Sequence, residues 1–192
     1  MKFQKVIEKR RSIRKFLDKD VSKKQIDLII NNGILAPSSK NKQPWNFVVV
    51  KGLTKNKIGN MMMDWVEERN AGASLKILES NAVFKTGLAF REAPVAILIY
   101  KEKSDDLVLN DVLAIGACIE NMFLTATDLK LGALWLTAIT CVEDKVNELL
   151  NIEGKQLLSS LLIGYPNEDP NMQTRKTAEE AIIEKGEEEK DA

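Results

Sequence analysis

The sequence has no histidine and only two cysteines, Cys118 and Cys141, among its 192 residues. Without histidine, the chain cannot carry out Ser-His-Asp or Cys-His catalysis, and it lacks imidazole metal ligands and the commonest general base. Two cysteines in apolar surroundings are too few for a disulfide framework or a metal site, so we expect both to be buried as small apolar side chains. If the protein is an enzyme, a bound cofactor is the obvious source of its reaction chemistry.

The chain also lacks long apolar runs and net charge. No apolar run approaches the roughly 20 residues that cross a bilayer, and the N-terminal "MKFQKVIEKRR" lacks the uninterrupted apolar core of a signal peptide. The 28 basic residues equal the 28 acidic ones, whereas nucleic-acid binders usually carry a net basic domain. We therefore expect a cytoplasmic, globular protein with one domain over 1–192, a frayed charged tail at 185–192, and neither nucleic acid nor membrane as partner.

What is present is a basic excess in one short segment. Residues 1–24 hold ten Lys or Arg against three Asp or Glu, and "EKRRSIRKF" at 8–16 contains all three arginines of this stretch. Guanidinium groups bind phosphate in bidentate fashion, and a serine hydroxyl can complete the site. In an extended segment Arg10, Ser12 and Arg14 would alternate onto one side, leaving Arg11 to face solvent or a partner. The alternative is a solvated basic stretch, which is the usual fate of a run of charges.

A second polar segment, "APSSKNKQPWNF" at 36–47, contains two prolines, Pro37 and Pro44, and leads into an apolar strand. Such Ser- and Asn-rich loops are often only turns. This one also places several hydrogen-bonding side chains on a stiff segment, which suits a polar planar ligand. The candidate residues are Pro37, Ser38, Ser39, Asn41 and Gln43.

The apolar periodicity predicts an α+β fold in which helices come first and strands separated by helices follow. Ser22 and Gln25 have the spacing of a capping box and predict the start of a helix. Predicted strands cover 45–52, 94–101, 132–139 and 157–166. Predicted helices cover 2–10, 22 to before 37, the weakly patterned 54–90, 109–130, 142–151 and the stretch from 179.

The helix predicted over 109–130 is the longest, and its apolar residues lie on most of its faces. Ile115, Ile119 and Met122 repeat at helical spacing, while Leu113 and Leu124 fall on other sides. A helix that is apolar on most sides is buried on most sides. In a chain of this size that pattern predicts a subunit interface.

Four motifs together resemble the nitroreductase family of FMN-dependent oxidoreductases. These are "RRSIRKF", "APSSKNKQPWNFVVV", "LGALWL" after a long helix, and "LLIGYPNEDP" followed by "RK". The resemblance spans roughly residues 8 to 183, in the family's order and spacing. It implies a nitroreductase-like mixed, largely antiparallel sheet flanked by helices, and a homodimer with FMN at the interface.

The resemblance also implies where FMN is held. Arg10, Ser12 and Arg14 match the positions that bind the phosphate and ribityl chain, with Arg11 in the same motif. The partner subunit would lay Pro37, Ser38, Ser39, Asn41 and Gln43 against the flavin. The backbone of the segment with Trp135, Thr137 and Ala138 would run beside the ring; relatives often have Pro, Glu and Gly there. Arg175, with Lys176 beside it, would return to the phosphate.

The function implied is hydride transfer from NADH or NADPH to FMN, followed by reduction of nitroaromatic, quinone or related small-molecule acceptors in a ping-pong cycle. FMN carries this chemistry, so no catalytic side chain and no metal are predicted. Two alternatives stay open. One is a specialised flavin enzyme of the same fold, for reductive dehalogenation or flavin fragmentation. The other is a non-catalytic protein that binds an anion or nucleic acid.

Overall fold

The computed structural model describes residues 1–103 and 108–184. Its centre is a sheet of four strands: β1 (Asn46–Lys51), β2 (Val95–Glu102), β3 (Gly132–Leu136) and β4 (Lys155–Gly164). The strand order is β1-β2-β4-β3 and every neighbouring pair is antiparallel. A single parallel bridge, between Ser12 and Ala133, adds the mixed character. All four predicted strands are confirmed, but the third ends at Leu136 because a 3₁₀ turn over Ala138–Val142 follows.

The helices lie on both faces of this sheet. They are α1 (Phe3–Lys9), α2 (Lys23–Gly33), α3 (Gly52–Arg69), α4 (Leu75–Ser80), α5 (Ala82–Glu92), α6 (Leu109–Asp128), α7 (Glu143–Leu150) and α8 (Ala178–Ala181). The capping box before α2 is confirmed, since the Ser22 hydroxyl accepts from the Gln25 N–H and the Gln25 side chain accepts from the Ser22 N–H.

The last helix is shorter than predicted. α8 has four residues and none of them is buried, so no packed face extends it towards residue 184. The predicted tail over 185–192 lies outside the described residues.

Two apolar layers meet the two faces of the sheet. Val95, Ile97 and Ile99 of β2 pack with α2 and α6 on one face. The alternate residues Leu98 and Tyr100 pack with α3 and α5 on the other. Because β2 is buried on both sides, its sequence is a continuous apolar run without polar alternation.

Helix α6 crosses the first of these layers. At 1.5 Å per residue its 20 residues span about 30 Å. Contrary to the expectation that no apolar run is long enough, α6 could cross a membrane by length and composition alone. Its sequence includes the charged residues Asp111 and Glu120. Its inner face packs in the core, and burial raises the pKa of the Cys118 thiol there to about 12. Cys141, expected to be buried, is only half-buried in the 3₁₀ turn.

The arginine-rich N-terminal segment is tied to the edge of the sheet beside β3. The Ile13 N–H donates to the Ala133 carbonyl at 2.9 Å, and the Leu17 N–H donates to the Tyr165 carbonyl at 2.9 Å. A Cβ added to Gly132 would lie 2.8 Å from carbon atoms of Ile13, so only glycine permits this approach. The glycine thereby fixes where the arginines of this segment can lie.

Candidate functional site

Arginines from the two ends of the chain line one cavity of about 520 Å³, which we call the cationic cleft. It lies between the end of α1 and the irregular stretch that follows β4. The predicted site residues that line it are Arg10, Arg11, Ser12, Arg14 and Arg175.

Backbone contacts bring these distant segments together. The Glu168 carboxylate accepts from the backbone N–H groups of Arg14 and Lys15, and the Asn167 N–H donates to the Lys15 carbonyl at 2.9 Å. These hydrogen bonds hold the chain after β4 against the N-terminal segment. This pairing places the stretch that ends at Arg175 on the opposite wall of the cleft.

Arg10 is held by two side chains of α6. Its Nε lies 3.6 Å from Glu120 Oε1, and its guanidinium carbon lies 4.8 Å from the centre of the Phe123 ring. An ion pair along one edge and a cation–π contact on the face together restrict the orientation of the guanidinium. Burial raises the pKa of the Glu120 carboxyl above its ordinary value, while the Arg10 guanidinium acts in the opposite direction.

The prediction that Arg11 faces away towards solvent or a partner is wrong. Its side chain is half-buried and lines the cleft with the other arginines. Its Nη1 donates to the carbonyl of Glu8 at 2.6 Å and to that of Arg10 at 2.8 Å. Arg11 therefore caps the carbonyl end of α1 and also adds positive charge to the cleft.

The side chains of Arg14 and Arg175 are exposed, and within the described residues they make only long contacts to backbone carbonyls. Arg14 Nη1 donates to Ser12 O at 3.3 Å, and Arg175 Nη1 donates to the carbonyls of Gln173 and Thr174 at 3.3 and 3.4 Å. An anion in the cleft can replace such weak contacts with charged hydrogen bonds. Lys176 is exposed and is not among the residues that line the cleft.

The serine- and asparagine-rich loop over 36–47 contains a tight turn. The Gln43 N–H donates to the Ser38 hydroxyl at 3.0 Å around a 3₁₀ turn over Ser39–Asn41. Lys40, Asn41 and Gln43 have φ values of 52°, 54° and 48°, in the left-handed region that non-glycine residues seldom occupy. Pro37, Ser39, Asn41 and Gln43 are exposed, and Ser38 is half-buried. Such strain is common in loops that bind ligands.

The loop and the cleft lie at different places along α6. Lys42 Nζ is 2.6 Å from Oδ2 of Asp111, in the first turn of the helix, whereas Glu120 lines the cleft. Nine residues of helix separate these two acids, which corresponds to about 14 Å. Within one chain, the predicted loop residues do not line the cleft.

Trp135, Thr137 and Ala138 follow the part of β3 that pairs with the arginine segment. Trp135 comes two residues after Ala133, the bridge partner of Ser12, and its side chain is 38% exposed. A Cβ on Gly116 of α6 would lie 3.8 Å from the Trp135 ring. Thr137 is exposed and Ala138 is half-buried at the start of the 3₁₀ turn. None of the three lines the cleft itself.

Two acids of α6, Asp111 and Glu120, were not predicted from the sequence. Asp111 is buried with its carboxylate on Lys42, and Glu120 is half-buried with its carboxylate near Arg10. A signal was available, because isolated acids within an otherwise apolar helix need partners. The identity of those partners depends on long-range contacts that the sequence does not show.

Three comparisons with known proteins agree with this architecture. Residues 7–165 match the sequence profile of the Nitroreductase family. A protein of Methanothermobacter thermautotrophicus, assigned as an NADH dehydrogenase/NAD(P)H nitroreductase, is 31% identical over 169 residues, which cover 85% of this chain and 77% of that protein. The iodotyrosine deiodinase of Nematostella vectensis is 28% identical, over 94% of this chain and 74% of its own.

A solved structure shows the same fold. The protein from Desulfovibrio desulfuricans, assigned as a nitroreductase and crystallised with FMN, superposes with a TM-score of 0.76. It is 25% identical in sequence, and the superposition covers 97% of this chain and 98% of that chain. By its profile, its relatives and its fold, the chain belongs to the nitroreductase family.

Proposed function

We propose that this protein is an FMN-dependent oxidoreductase that takes a hydride from NADH or NADPH and reduces nitroaromatic, quinone or related acceptors. The observation that carries the proposal is the cationic cleft, where an N-terminal Arg-Ser-Arg motif and a C-terminal arginine meet. The homodimer and the cytoplasmic location that the sequence predicts belong to the same proposal.

The charge of the cleft suits the phosphate of FMN. Four guanidinium groups line it, from Arg10, Arg11, Arg14 and Arg175, and two carboxylates from Glu8 and Glu120 oppose them. The resulting excess of about two positive charges offsets the charge of a phosphate monoester, about −1.5 to −2 at pH 7. The Ser12 hydroxyl can donate to one further phosphate oxygen.

When bound, FMN supplies the hydride and electron transfer between the nicotinamide and the acceptor. The chain supplies binding and orientation. Arg10, Ser12, Arg14 and Arg175 would hold the phosphate end, and the backbone around Trp135 would border the ring. No side chain is assigned as a proton donor or acceptor in this scheme.

Two features support the homodimer. The loop over 36–47 presents exposed polar side chains away from the cleft of its own chain, so a partner could supply the loop that completes each site. The outer face of α6 carries exposed apolar residues, with Leu109 68% and Leu113 62% exposed. An apolar surface of that kind favours association between copies.

The assignment of the phosphate is tested with Arg14→Ala. Loss of a charged hydrogen bond of about 1.5–3 kcal/mol weakens FMN binding by about 10- to 100-fold. Riboflavin has no phosphate, so its affinity should not change. Both dissociation constants can be measured by flavin fluorescence. Lys15→Ala removes a neighbouring exposed cation that does not line the cleft, and it should leave both affinities within about threefold. Equal losses for FMN and riboflavin in Arg14→Ala would remove the assignment.

Similarity to an iodotyrosine deiodinase favours a second candidate, reductive dehalogenation with the same cofactor. Steady-state assays of NADH and NADPH against nitroaromatics, quinones and iodotyrosine would separate the two. The proposed function expects nitroaromatic or quinone reduction to be fastest. Iodide release at a higher kcat/KM than either of those reductions would favour the dehalogenase.

A further inference from the structure

One side chain in the cationic cleft has the wrong charge for a phosphate site. Glu120 comes from the middle of α6, is half-buried, and lines the same cavity as the arginines. A carboxylate beside a bound dianion is repelled by it, and it lowers the affinity of the site. This loss of phosphate affinity would be offset if Glu120 also favoured phosphate binding in another way.

The ion pair between Glu120 and Arg10 favours phosphate binding because it orients the Arg10 guanidinium. Glu120 Oε1 approaches Arg10 Nε at 3.6 Å, and the Phe123 ring, three residues further along α6, lies under the same guanidinium. These two contacts engage Nε and the planar face. Neither involves the terminal Nη1 and Nη2 groups, which are the pair that a phosphate can engage in bidentate fashion.

We infer that Glu120 is a positioning residue, which holds Arg10 ready for the phosphate and at the same time limits how tightly the dianion binds. The inference rests on the proposed function, because it requires a phosphate in the cleft. It gives Glu120 two opposite effects on FMN affinity, and suitable substitutions can separate them.

Protonation of Glu120 links these effects to pH. The charged groups that face the cleft are Glu8 from α1, Arg10, Arg11 and Arg14 from the following segment, Glu120 from α6, and Arg175 from the returning chain. Burial already raises the pKa of Glu120 against the opposing effect of Arg10, and an arriving dianion favours the neutral form further. Repulsion of the phosphate therefore fades as the pH falls.

Glu120→Gln removes the charge and keeps the shape, and its amide oxygen leaves an acceptor facing Arg10 Nε. At pH 8 we expect this variant to bind FMN about tenfold more tightly than the wild type, since one nearby negative charge is lost. Riboflavin affinity should stay unchanged. Glu120→Ala removes both the charge and the acceptor, so it should bind FMN more weakly than Glu120→Gln does.

The pH profile distinguishes positioning by an ionised group from a purely structural role. The wild-type dissociation constant for FMN, divided by that of Glu120→Gln, should be about ten at pH 8 and smaller at pH 5.5. The phosphate of FMN titrates near pH 6, and ionised Glu120 acts on it in the wild type only, so protonation of either group weakens the repulsion and lowers the ratio.

Asp18→Asn is the matched control. Asp18 is an exposed acid shortly after the arginine segment, and it does not line the cleft. Because it lies outside the cleft and solvent screens it, its neutralisation should change FMN affinity by less than about threefold at either pH.

The experiment is a set of flavin titrations of these variants at pH 5.5 and pH 8, with FMN and with riboflavin. The inference is overturned if Glu120→Gln does not tighten FMN binding at pH 8, if riboflavin tightens equally, or if the ratio does not depend on pH. Equal affinities of the Ala and Gln variants overturn the positioning role. If the wild type binds FMN and Arg14→Ala weakens it, while Glu120→Gln has no effect, only this inference fails. A wild type that does not bind FMN overturns the proposed function as well.

Discussion

At the scale of single residues, Lys55 is an unusual cation because it is buried in the core. Its side chain, on α3, is 3% exposed, and its ammonium donates to the carbonyls of Phe90 and Arg91 at the end of α5. A cation at the carbonyl end of a helix has a favourable position. Burial, together with the smaller effect of the nearby Arg91, nevertheless lowers its pKa from 10.5 to about 8.

This depressed pKa makes the stability of the protein depend on pH. The folded state disfavours the charged lysine, and that cost is present in full below about pH 8, where Lys55 is charged in both states. Between pH 8 and 10.5 the unfolded chain binds more protons than the folded one, so stability rises with pH. From pH 7.5 to 9.5, the free energy of unfolding of the wild type should rise by about 2 kcal/mol relative to that of Lys55→Met.

Urea unfolding of the two proteins at both pH values measures this difference. Other groups that titrate in this range, such as Cys118, are present in both proteins and cancel from the comparison. Lys57→Met, two residues away and exposed, is the control and should follow the wild type at both pH values. Parallel pH dependences of the wild type and Lys55→Met would show that Lys55 keeps an ordinary pKa in the folded protein.

At the scale of elements, the loop between α2 and β1 combines strain with anchoring. Lys40 adopts φ 52° and ψ 27°, a conformation that costs most non-glycine residues about 1–2 kcal/mol. Lys42, two residues on, has ordinary helical angles and forms the ion pair with Asp111. At Lys40 a side chain is therefore unfavourable, whereas at Lys42 the side chain stabilises the loop.

This contrast predicts opposite effects of the same substitution. Lys40→Gly relieves the left-handed strain and loses about 0.4–1 kcal/mol to the greater freedom of the unfolded chain, so we expect a gain in stability of up to about 1 kcal/mol. Lys42→Gly has no strain to relieve and loses its partner, so it should destabilise by about 1–2 kcal/mol. Thermal and urea unfolding of the two variants provide the measurement. If Lys40→Gly destabilises the protein as much as Lys42→Gly does, the left-handed conformation of Lys40 is not strained.

The sequence predicted those elements whose signals are local. The capping box at Ser22 is a contact between residues three apart, and the buried strands are short runs bounded by glycine or proline. Residues 54–90 had weak periodicity because α3 and α5 pack through glycines. A Cβ on Gly87 would lie 2.6 Å from the Gly59 carbonyl oxygen, so backbone contact replaces part of the usual apolar stripe.

The site was predicted where its residues share a motif and missed where partners are distant in sequence. The convergence of Arg10, Ser12, Arg14 and Arg175 agrees with what the family resemblance implies. The predicted orientation of Arg11 was wrong because two-residue alternation assumes a strand. This residue instead follows a helix, and its side chain turns back to cap that helix. Glu120 was missed because its pairing with Arg10 joins residues more than 100 positions apart, and no local pattern marks such a contact.

At the scale of the whole molecule, the two predicted parts of the FMN site lie apart within one chain. The cationic cleft lies near Glu120, and the strained loop lies near Asp111 at the start of the same helix. In a twofold symmetric dimer, the loop of one copy can meet the cleft of the other, so that two equivalent sites form. Subunit complementation tests this arrangement directly.

Two variants that each disable one part of the site are needed. The cleft variant is Arg14→Ala with Arg175→Ala, which alters two exposed side chains. The loop variant is Ser39→Ala with Asn41→Gly, which removes polar side chains while glycine keeps the left-handed backbone of residue 41. Each variant alone should be a dimer of about twice 21.6 kDa by light scattering, with weak FMN binding at both sites.

Co-expression of the two variants should restore part of the binding. In a heterodimer with shared sites, one site combines both defects and the other combines the unaltered cleft with the unaltered loop. Random pairing gives about half heterodimers, so about one quarter of all sites should bind FMN with wild-type affinity. Heterodimers purified through two different tags should bind one FMN per dimer. If cleft and loop served the same chain, every site would keep one defect and no tight binding would return. A monomeric wild type that binds FMN tightly would contradict the shared site in the same way, because a single chain would then be sufficient.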